Sequence, residues 1–267
     1  KLFTQLSENS TAVVNIDDKY GNRIIESIKS NVITYGFNEQ ATVHPTSYKL
    51  SITGINAHIS VDRKEIEISS PLVGKFNLYN ILASIASALA LGIPHLRIAR
   101  SIESFTKVSG RMEIVPTQSA GTVIIDYAHT PNAYENVLST IQELSAKKTV
   151  YTLFGCGGNR DQSKRAIMAS IAEEYSHHVF VTSDNPRYEN LDDIIAQICK
   201  GFTGTAFSII HNRMDAIKEA MHRMDKNSIL LVLGKGHDDY EEINGQKHPH
   251  NDSKIISEFG NASQDSE

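Results

Sequence analysis

The sequence is poor in cysteine, in long apolar runs and in excess charge of either sign. Its two cysteines, Cys156 and Cys199, among 267 residues exclude a disulfide scaffold and suit a reducing compartment. No apolar run approaches the ~20 residues that a membrane helix needs, so no membrane insertion is expected. The opening residues, Lys1 to Ser7, lack the apolar core of a signal peptide. Lys plus Arg is 26 and Asp plus Glu is 31, a net charge of −5. A mildly acidic chain with scattered basic residues bears no footprint of a polyanion partner, and no nucleic acid is expected. Internal repeats and low-complexity segments are missing as well. What is present, 40% apolar and 21% charged residues, is the composition of a globular protein, and the length favours two domains. The first residue is Lys rather than Met, so the numbering is expected to start inside a longer protein.

Two parts are legible. In the first, to about Val108, a strand-like run Ala12–Ile16 precedes a helical stretch with Ile24, Ile25 and Ile28 on one face, and Val32–Tyr35 reads as another strand. Residues 42–69 hold short alternating pieces, such as Tyr48–Ile52 and Glu65–Ile68, that read as antiparallel strands with one wet face. Helices follow at Asn77–Leu91 and about Leu96–Phe105. The second part alternates strand and helix. Strands are expected at Thr122–Asp126, Thr149–Phe154, His178–Thr182, Phe207–His211 and Ser228–Leu233. Leu191, Ile194, Ile195 and Ile198 mark one helix face, and Ile167, Met168, Ile171 and Ala172 another. This alternation predicts βαβ units, a mostly parallel sheet and a ligand crevice outside the carboxyl ends of the strands. The tail from Gly260 to Glu267 reads as frayed.

Unusual residues stand just after four of those strands. The run Gly155-Cys156-Gly157-Gly158-Asn159-Arg160-Asp161 lets a backbone approach a ligand closely. A helix beginning near Asp161 would offer N–H groups to an anion, and Arg160 a bidentate contact; a tight strand-to-helix turn with a solvated Arg accounts for the run equally well. Asp184-Asn185-Pro186-Arg187 sets acceptors and donors on a frame stiffened by Pro186. Such a frame suits a small zwitterion, with Asn185 and Arg187 toward a carboxylate and Asp184 toward an ammonium; alone, the tetrapeptide also serves as an Asn-Pro turn. Asp126 and His129 form either a polar ligand pair or a capped turn. His237, Asp238, Asp239, His248, His250 and Asp252 lack a metal-ligand spacing, so no metal is expected there. Cys156 has no base spaced to activate it and reads as a buried structural thiol.

Together with Gly74-Lys75-Phe76-Asn77-Leu78-Tyr79-Asn80, Gly110-Arg111-Met112-Glu113 and Gly234-Lys235-Gly236-His237, these runs resemble the Mur ligases of bacterial cell-wall synthesis, in particular the UDP-N-acetylmuramoyl-tripeptide synthetase (MurE) type. Each run is weak singly; their order and spacing along nearly the whole chain are specific. The resemblance implies a cytoplasmic, ATP-dependent enzyme of peptidoglycan synthesis that uses Mg2+. Such an enzyme adds meso-diaminopimelate to UDP-N-acetylmuramoyl-L-alanyl-D-glutamate, with the peptide carboxylate passing through an acyl phosphate that the incoming amine attacks. It further implies that Arg160, Asp184, Asn185, Pro186, Arg187, Gly234 and Asp238 bind diaminopimelate, Asp238 standing where the family usually has Glu. Arg187 ends the motif as diaminopimelate-adding members do, whereas lysine-adding members carry a different last residue. Asn77, Asn80, Arg111, Asp126 and His129 would lie toward the nucleotide, between the central and C-terminal domains.

The expected fold class is therefore α/β: residues 109–267 a Rossmann-like C-terminal domain with a mostly parallel sheet, and residues 1–108 the latter part of an α/β ATPase central domain carrying a small antiparallel β element. The family's phosphate loop, G-x-x-x-x-G-K-[ST], does not occur in this sequence. Leu2-Phe3 resembles the pair that follows the family's carbamylated lysine, which would then lie before Lys1. Two other classes fit the residues: a non-catalytic amino-acid or nucleotide binding module, and a related ligase with another acceptor, lysine-adding or folate-type. Without a phosphate loop, the 267-residue chain alone is expected to form no amide product from ATP, diaminopimelate and the UDP-muramoyl dipeptide; any turnover seen by chromatography would overturn this.

Overall fold

The computed structural model describes residues 3–118 and 121–262, so Leu2 and residues 263–267 of the tail lie outside the described residues. The chain divides between Lys107 and Val108 into two units.

In the first unit, β1 (Thr11–Asn15), α1 (Gly21–Glu26), β2 (Asn31–Tyr35), β3 (Val43–Ser51), β4 (Gly54–Val61) and β5 (Lys64–Ser70) are followed by α2 (Lys75–Ala90) and α3 (His95–Ser104). The five strands form one sheet in the order β1-β2-β3-β4-β5. The β1–β2 and β2–β3 pairs are parallel and the rest antiparallel. Alternation decides the faces: Ile55, Ala57, Ile59 and Val61 of β4 turn inward, while Asn56 and His58 are exposed. The inward row packs with Leu78, Ile81, Leu82 and Ile85 of α2, each such side chain contributing ~1.5–3 kcal/mol on burial.

The second unit holds β6 (Glu113–Val115), β7 (Thr122–Asp126), α4 (Pro131–Leu144), β8 (Thr149–Phe154), α5 (Lys164–Tyr175), β9 (His178–Val181), α6 (Leu191–Cys199) and β10 (Phe207–Ile209). After these come α7 (Arg213–His222), β11 (Ser228–Leu233), β12 (Tyr240–Ile243), β13 (Gln246–Pro249) and α8 (Asp252–Ala262). Six strands form one sheet, β10-β9-β8-β11-β7-β6, parallel except for β6 at its edge. Strand β11 inserts between β7 and β8, and all six of its residues are buried, as a central parallel strand covered on both faces requires. One face is closed by α7 and α8 through Ala216, Ile217, Ala220, Met221 and Ile256. β12 and β13 form a separate antiparallel hairpin.

The helix α6 follows its apolar spacing: Ile194, Ile195 and Ile198 are buried, and Asn190 caps it by accepting from Asp192 N–H at 2.8 Å. Three expectations are corrected. Ile167 is exposed; the inward face of α5 is instead Arg165, Met168, Ala169 and Ala172, because Arg165 reaches inward to the Glu189 carboxylate and Gly157 O. α5 begins at Lys164 rather than near Asp161, since Asp161 Oδ1 accepts from both the N–H (2.9 Å) and the hydroxyl (2.6 Å) of Ser163. Residues 260–262 are not frayed but complete α8.

At the core of this unit lies a buried ion pair. Arg213, the first residue of α7, donates from Nε to Asp252 Oδ1 (3.0 Å) and from Nη2 to Oδ2 (2.8 Å). It also donates from Nη1 to Ser183 O (3.2 Å) and from Nη2 to Leu233 O (3.0 Å). Both side chains are fully buried, and His250 Nε2 adds a 2.8 Å contact to Asp252 Oδ1. Burial alone pushes the Asp252 carboxyl up, but the charge of Arg213 and the hydrogen bonds from His250 and Arg213 outweigh it and hold the group far below the usual carboxylate range. The stabilisation from Asp252 is therefore fully present above the unfolded pKa of ~3.9 and lost as the pH falls below it. Arg213→Met leaves a buried carboxylate unpaired and is expected to cost ~3–5 kcal/mol in urea unfolding. It should also remove the acid-side dependence assigned to Asp252 when unfolding is followed from pH 6 to pH 2.

Candidate functional site

Because β7, β8, β9 and β11 run parallel, their carboxyl ends, Asp126, Phe154, Val181 and Leu233, share one rim, where open α/β sheets bind ligands. A cavity of about 570 Å³ lies there, lined by residues of all four following loops. Six of the seven residues expected to hold an amino acid line it: Arg160, Asp184, Asn185, Arg187, Gly234 and Asp238. Pro186 does not; it lines a neighbouring groove, and its carbonyl accepts from Glu189 N–H at 3.0 Å.

The Gly-rich loop and the Asp184 loop are tied together. Gly158 N–H donates to Asn185 O at 2.9 Å, Arg187 Nη1 donates to Gly158 O at 2.9 Å, and Asn159 N–H donates to the Glu189 carboxylate. Arg165, wholly buried, forks onto Glu189 (Nη1–Oε2 2.9 Å, Nη2–Oε1 3.1 Å) and also donates to Gly157 O at 3.1 Å. A Cβ on Gly158 would sit 1.9 Å from Pro186 O, so the approach of the two loops requires glycine. Gly234, at φ +107°, is needed for both reasons: the left-handed backbone, and a Cβ that would fall 2.7 Å from Asp184 Oδ2.

The polar groups left over define the chemistry. Asp184 is only 8% exposed, yet its carboxylate has no hydrogen-bond partner among the described residues. It lines the cavity with the charges of Lys235 and Arg213 nearby, and keeps accepting capacity for a ligand. Asn185 Oδ1 takes two donors, Lys235 Nζ (3.1 Å) and Glu242 N–H (2.9 Å), which fixes the amide and leaves Nδ2 as the donor available to a ligand. Lys235 is buried and also donates to Tyr240 O at 2.8 Å; burial pulls its pKa down. Arg160 is exposed, and its guanidinium has no partner among the described residues. Arg187 spends Nε on Glu242 Oε2 (3.1 Å) and Nη1 on Gly158 O, and keeps Nη2 without a partner among the described residues. Cys156 lines the cavity, but burial and the nearby charge of Asp184 push its thiol up to about 12, so it is inert as a nucleophile at neutral pH.

A second cluster stands beside the cavity. Asp126 accepts from Met112 N–H (2.8 Å) and Ala128 N–H (2.7 Å); burial raises its pKa against those two bonds. The guanidinium of Arg111 lies 4.9 Å from the centre of the Tyr127 ring, and His129 meets the same ring edge-on at 4.9 Å. His129 Nδ1 donates to Tyr127 O at 2.8 Å, which leaves Nε2 open. Asn77 and Asn80 belong to α2 of the first unit, where Asn77 Nδ2 donates to Val73 O (2.8 Å) and Asn80 Nδ2 to Asn77 Oδ1 (3.2 Å). Among the described residues no three His, Cys, Asp or Glu side chains come together as a metal site. His250 and Asp252 face each other and Arg213 instead.

Residues 1–88 match the Mur ligase middle domain, and residues 110–236 match the glutamate ligase domain of Mur ligases. The chain belongs to the Mur ligase family. It is 40% identical over 261 residues to the UDP-N-acetylmuramoyl-L-alanyl-D-glutamate–2,6-diaminopimelate ligase of Caldanaerobacter subterraneus subsp. tengcongensis, covering 97% of this chain and 53% of the relative. It is also 40% identical over 260 residues to the ligase of the same name from Aquifex aeolicus, again at 97% and 53%. A solved structure of a ligase bearing that name superposes with a TM-score of 0.65 at 30% identity, over 92% of this chain and 52% of that one. The chain thus spans about half the length of the Mur ligases it matches.

Within this Mur ligase chain, sequence reasoning missed the residues that hold the site in place: Arg165, Glu189, Arg213, Lys235, Glu242 and Asp252. Lys235 and Asp252 stand in runs noted above without this role, and no local signal marks the other four. Gly158→Ala is expected to force the two loops apart, at ~1–3 kcal/mol of stability, read as a lowered Tm of the second unit with Gly204→Ala as the roomier control.

Proposed function

We propose that this chain is the middle-to-C-terminal part of an ATP-dependent ligase that joins meso-diaminopimelate to UDP-N-acetylmuramoyl-L-alanyl-D-glutamate in peptidoglycan synthesis. The observation that carries the reading is the charge pattern of the cavity. A largely buried Asp184 carboxylate, with no hydrogen-bond partner among the described residues, and the Asp238 carboxylate share one space with Arg160, Arg187 and Asn185. Diaminopimelate has two ammonium and two carboxylate groups, and this set offers acceptors to the former and donors to the latter. Lysine lacks the second carboxylate and would leave one arginine unmatched.

In this reading ATP converts the dipeptide carboxylate to an acyl phosphate, with ADP leaving. The unprotonated acceptor amine then attacks the acyl carbon, and inorganic phosphate leaves as the amide forms. The residues of the cavity bind and orient the acceptor. Arg111, Asp126 and His129 are assigned to ATP. The cation, the aromatic face of Tyr127 and the open His129 Nε2 are groups suited to a nucleotide. The Mg2+ that accompanies ATP in this family finds no three-ligand set among the described residues. Both cysteines are free thiols, consistent with action in the cytoplasm on small-molecule substrates.

Calorimetric titration tests the assignment. The chain should bind meso-diaminopimelate in preference to L-lysine, and Arg187→Ala should weaken diaminopimelate binding by roughly 10–150-fold, the worth of a charge-assisted pair. Equal affinity for the two amino acids, or an unchanged affinity in the variant, would remove the assignment.

A further inference from the structure

Arg187 adopts a left-handed backbone, φ +53°, which a long side chain avoids unless its surroundings impose it. The imposing element is the β12–β13 hairpin. Arg187 N–H donates to Glu242 O at 2.9 Å, and Arg187 O accepts from Asn244 N–H at 2.7 Å, a single parallel bridge between Arg187 and Ile243. The same strand fixes Asn185 through Glu242 N–H and is held to Lys235 through Tyr240 O. The hairpin therefore docks by main-chain bonds that any side chain at 242 would permit. The side chain of Glu242 makes one further contact, from its Oε2 to Arg187 Nε. With Nε on Glu242 and Nη1 on Gly158 O, the guanidinium plane is pinned at two corners, and Nη2 has no partner among the described residues in a side chain that lines the cavity. The hairpin also lies beyond residue 236, where the match to the general Mur ligase domain ends.

We propose that Glu242 is a specificity-determining positioning residue: it orients Arg187 toward the second carboxylate of the acceptor. This rests on the diaminopimelate reading above. Glu242 also carries a negative charge that repels an incoming carboxylate. Both side chains are partly solvated, so the Coulombic part is small, and orientation decides the sign.

The test is a double-mutant cycle on meso-diaminopimelate binding by the chain. Glu242→Ala should weaken binding about tenfold, the worth of one charge-assisted contact. Glu242→Gln, whose amide oxygen still accepts from Nε, should stay within about threefold of wild type on the same scale. In an Arg187→Ala background, Glu242→Ala should have no further effect. Glu242→Thr, a good strand former too short to reach Nε, serves as the second truncation should the alanine variant melt early. Wild-type or tighter binding in the truncations, a loss in Glu242→Gln equal to that in Glu242→Ala, or additive effects in the cycle would overturn the proposal. A wild-type chain that fails to bind diaminopimelate would overturn the functional reading itself. A chain that binds it and depends on Arg187 but not on Glu242 would overturn this inference alone.

Discussion

The buried pair of Arg213 and Asp252 is the constraint on which the rim of the second unit depends. Two charges withdrawn from water are costly, and only close geometry with saturated hydrogen bonds offsets that cost. Here four of the five guanidinium N–H groups are used, two on the carboxylate and two on the carbonyls of Ser183 and Leu233. Those carbonyls stand where β9 and β11 hand over to the loops bearing Asp184 and Gly234. A carbonyl just past a strand end has lost its ladder partner, and burial would leave it orphaned. One planar cation satisfies both, and so fixes the separation of the two loops by its own rigid dimensions. An apolar replacement of the pair could fill the volume, but it could not hold two carbonyls at a set distance.

Arg165 repeats the device for the third loop, binding Glu189 and Gly157 O. Burial thus sorts the arginines around the cavity. Arg165 and Arg213, fully buried, each place four of five N–H groups on protein acceptors, Arg165 Nε being left without one, and serve as scaffold. Arg160 and Arg187, nearer to solvent, retain donors for a ligand. The same residue type does both tasks, and the number of satisfied N–H groups tells which. Sequence spacing carries no information on that number.

This explains which parts were legible. The strands β7, β8 and β11 follow from runs of β-branched and aliphatic residues, and the rim follows from the rule that parallel strands present their carboxyl ends together. The candidate ligand residues were visible because glycine, proline and charge cluster just after those strands. What escaped depends on tertiary pairing. Ile167 reads as part of an apolar face, but the helix turns Arg165 inward to Glu189 and Gly157 O, and Ile167 faces out. Asp161 reads as a helix start, but its carboxylate captures Ser163 and delays the first helical turn. Glu242 stands in an unremarkable Tyr-Glu-Glu-Ile run, and nothing local reveals that Arg187, 55 residues earlier, lies against it.

The cavity's selectivity follows from what is left unsatisfied. A site discriminates strongly against a ligand that leaves buried polar groups unpaired, and weakly against one that merely fills less space. Asp184 is largely buried and accepts from no donor among the described residues, so an ammonium near it should be favoured, within the limit set by the nearby charges of Lys235 and Arg213. Arg187 is different: Glu242 and Gly158 O already satisfy two of its nitrogens, and water reaches the rest. Its unmet demand is partial, and rejection of a ligand lacking the second carboxylate should be correspondingly graded. The ion pair that aims Arg187 thus also softens the penalty for leaving it empty. Accuracy of aim and severity of rejection are set against each other by a single carboxylate on the hairpin.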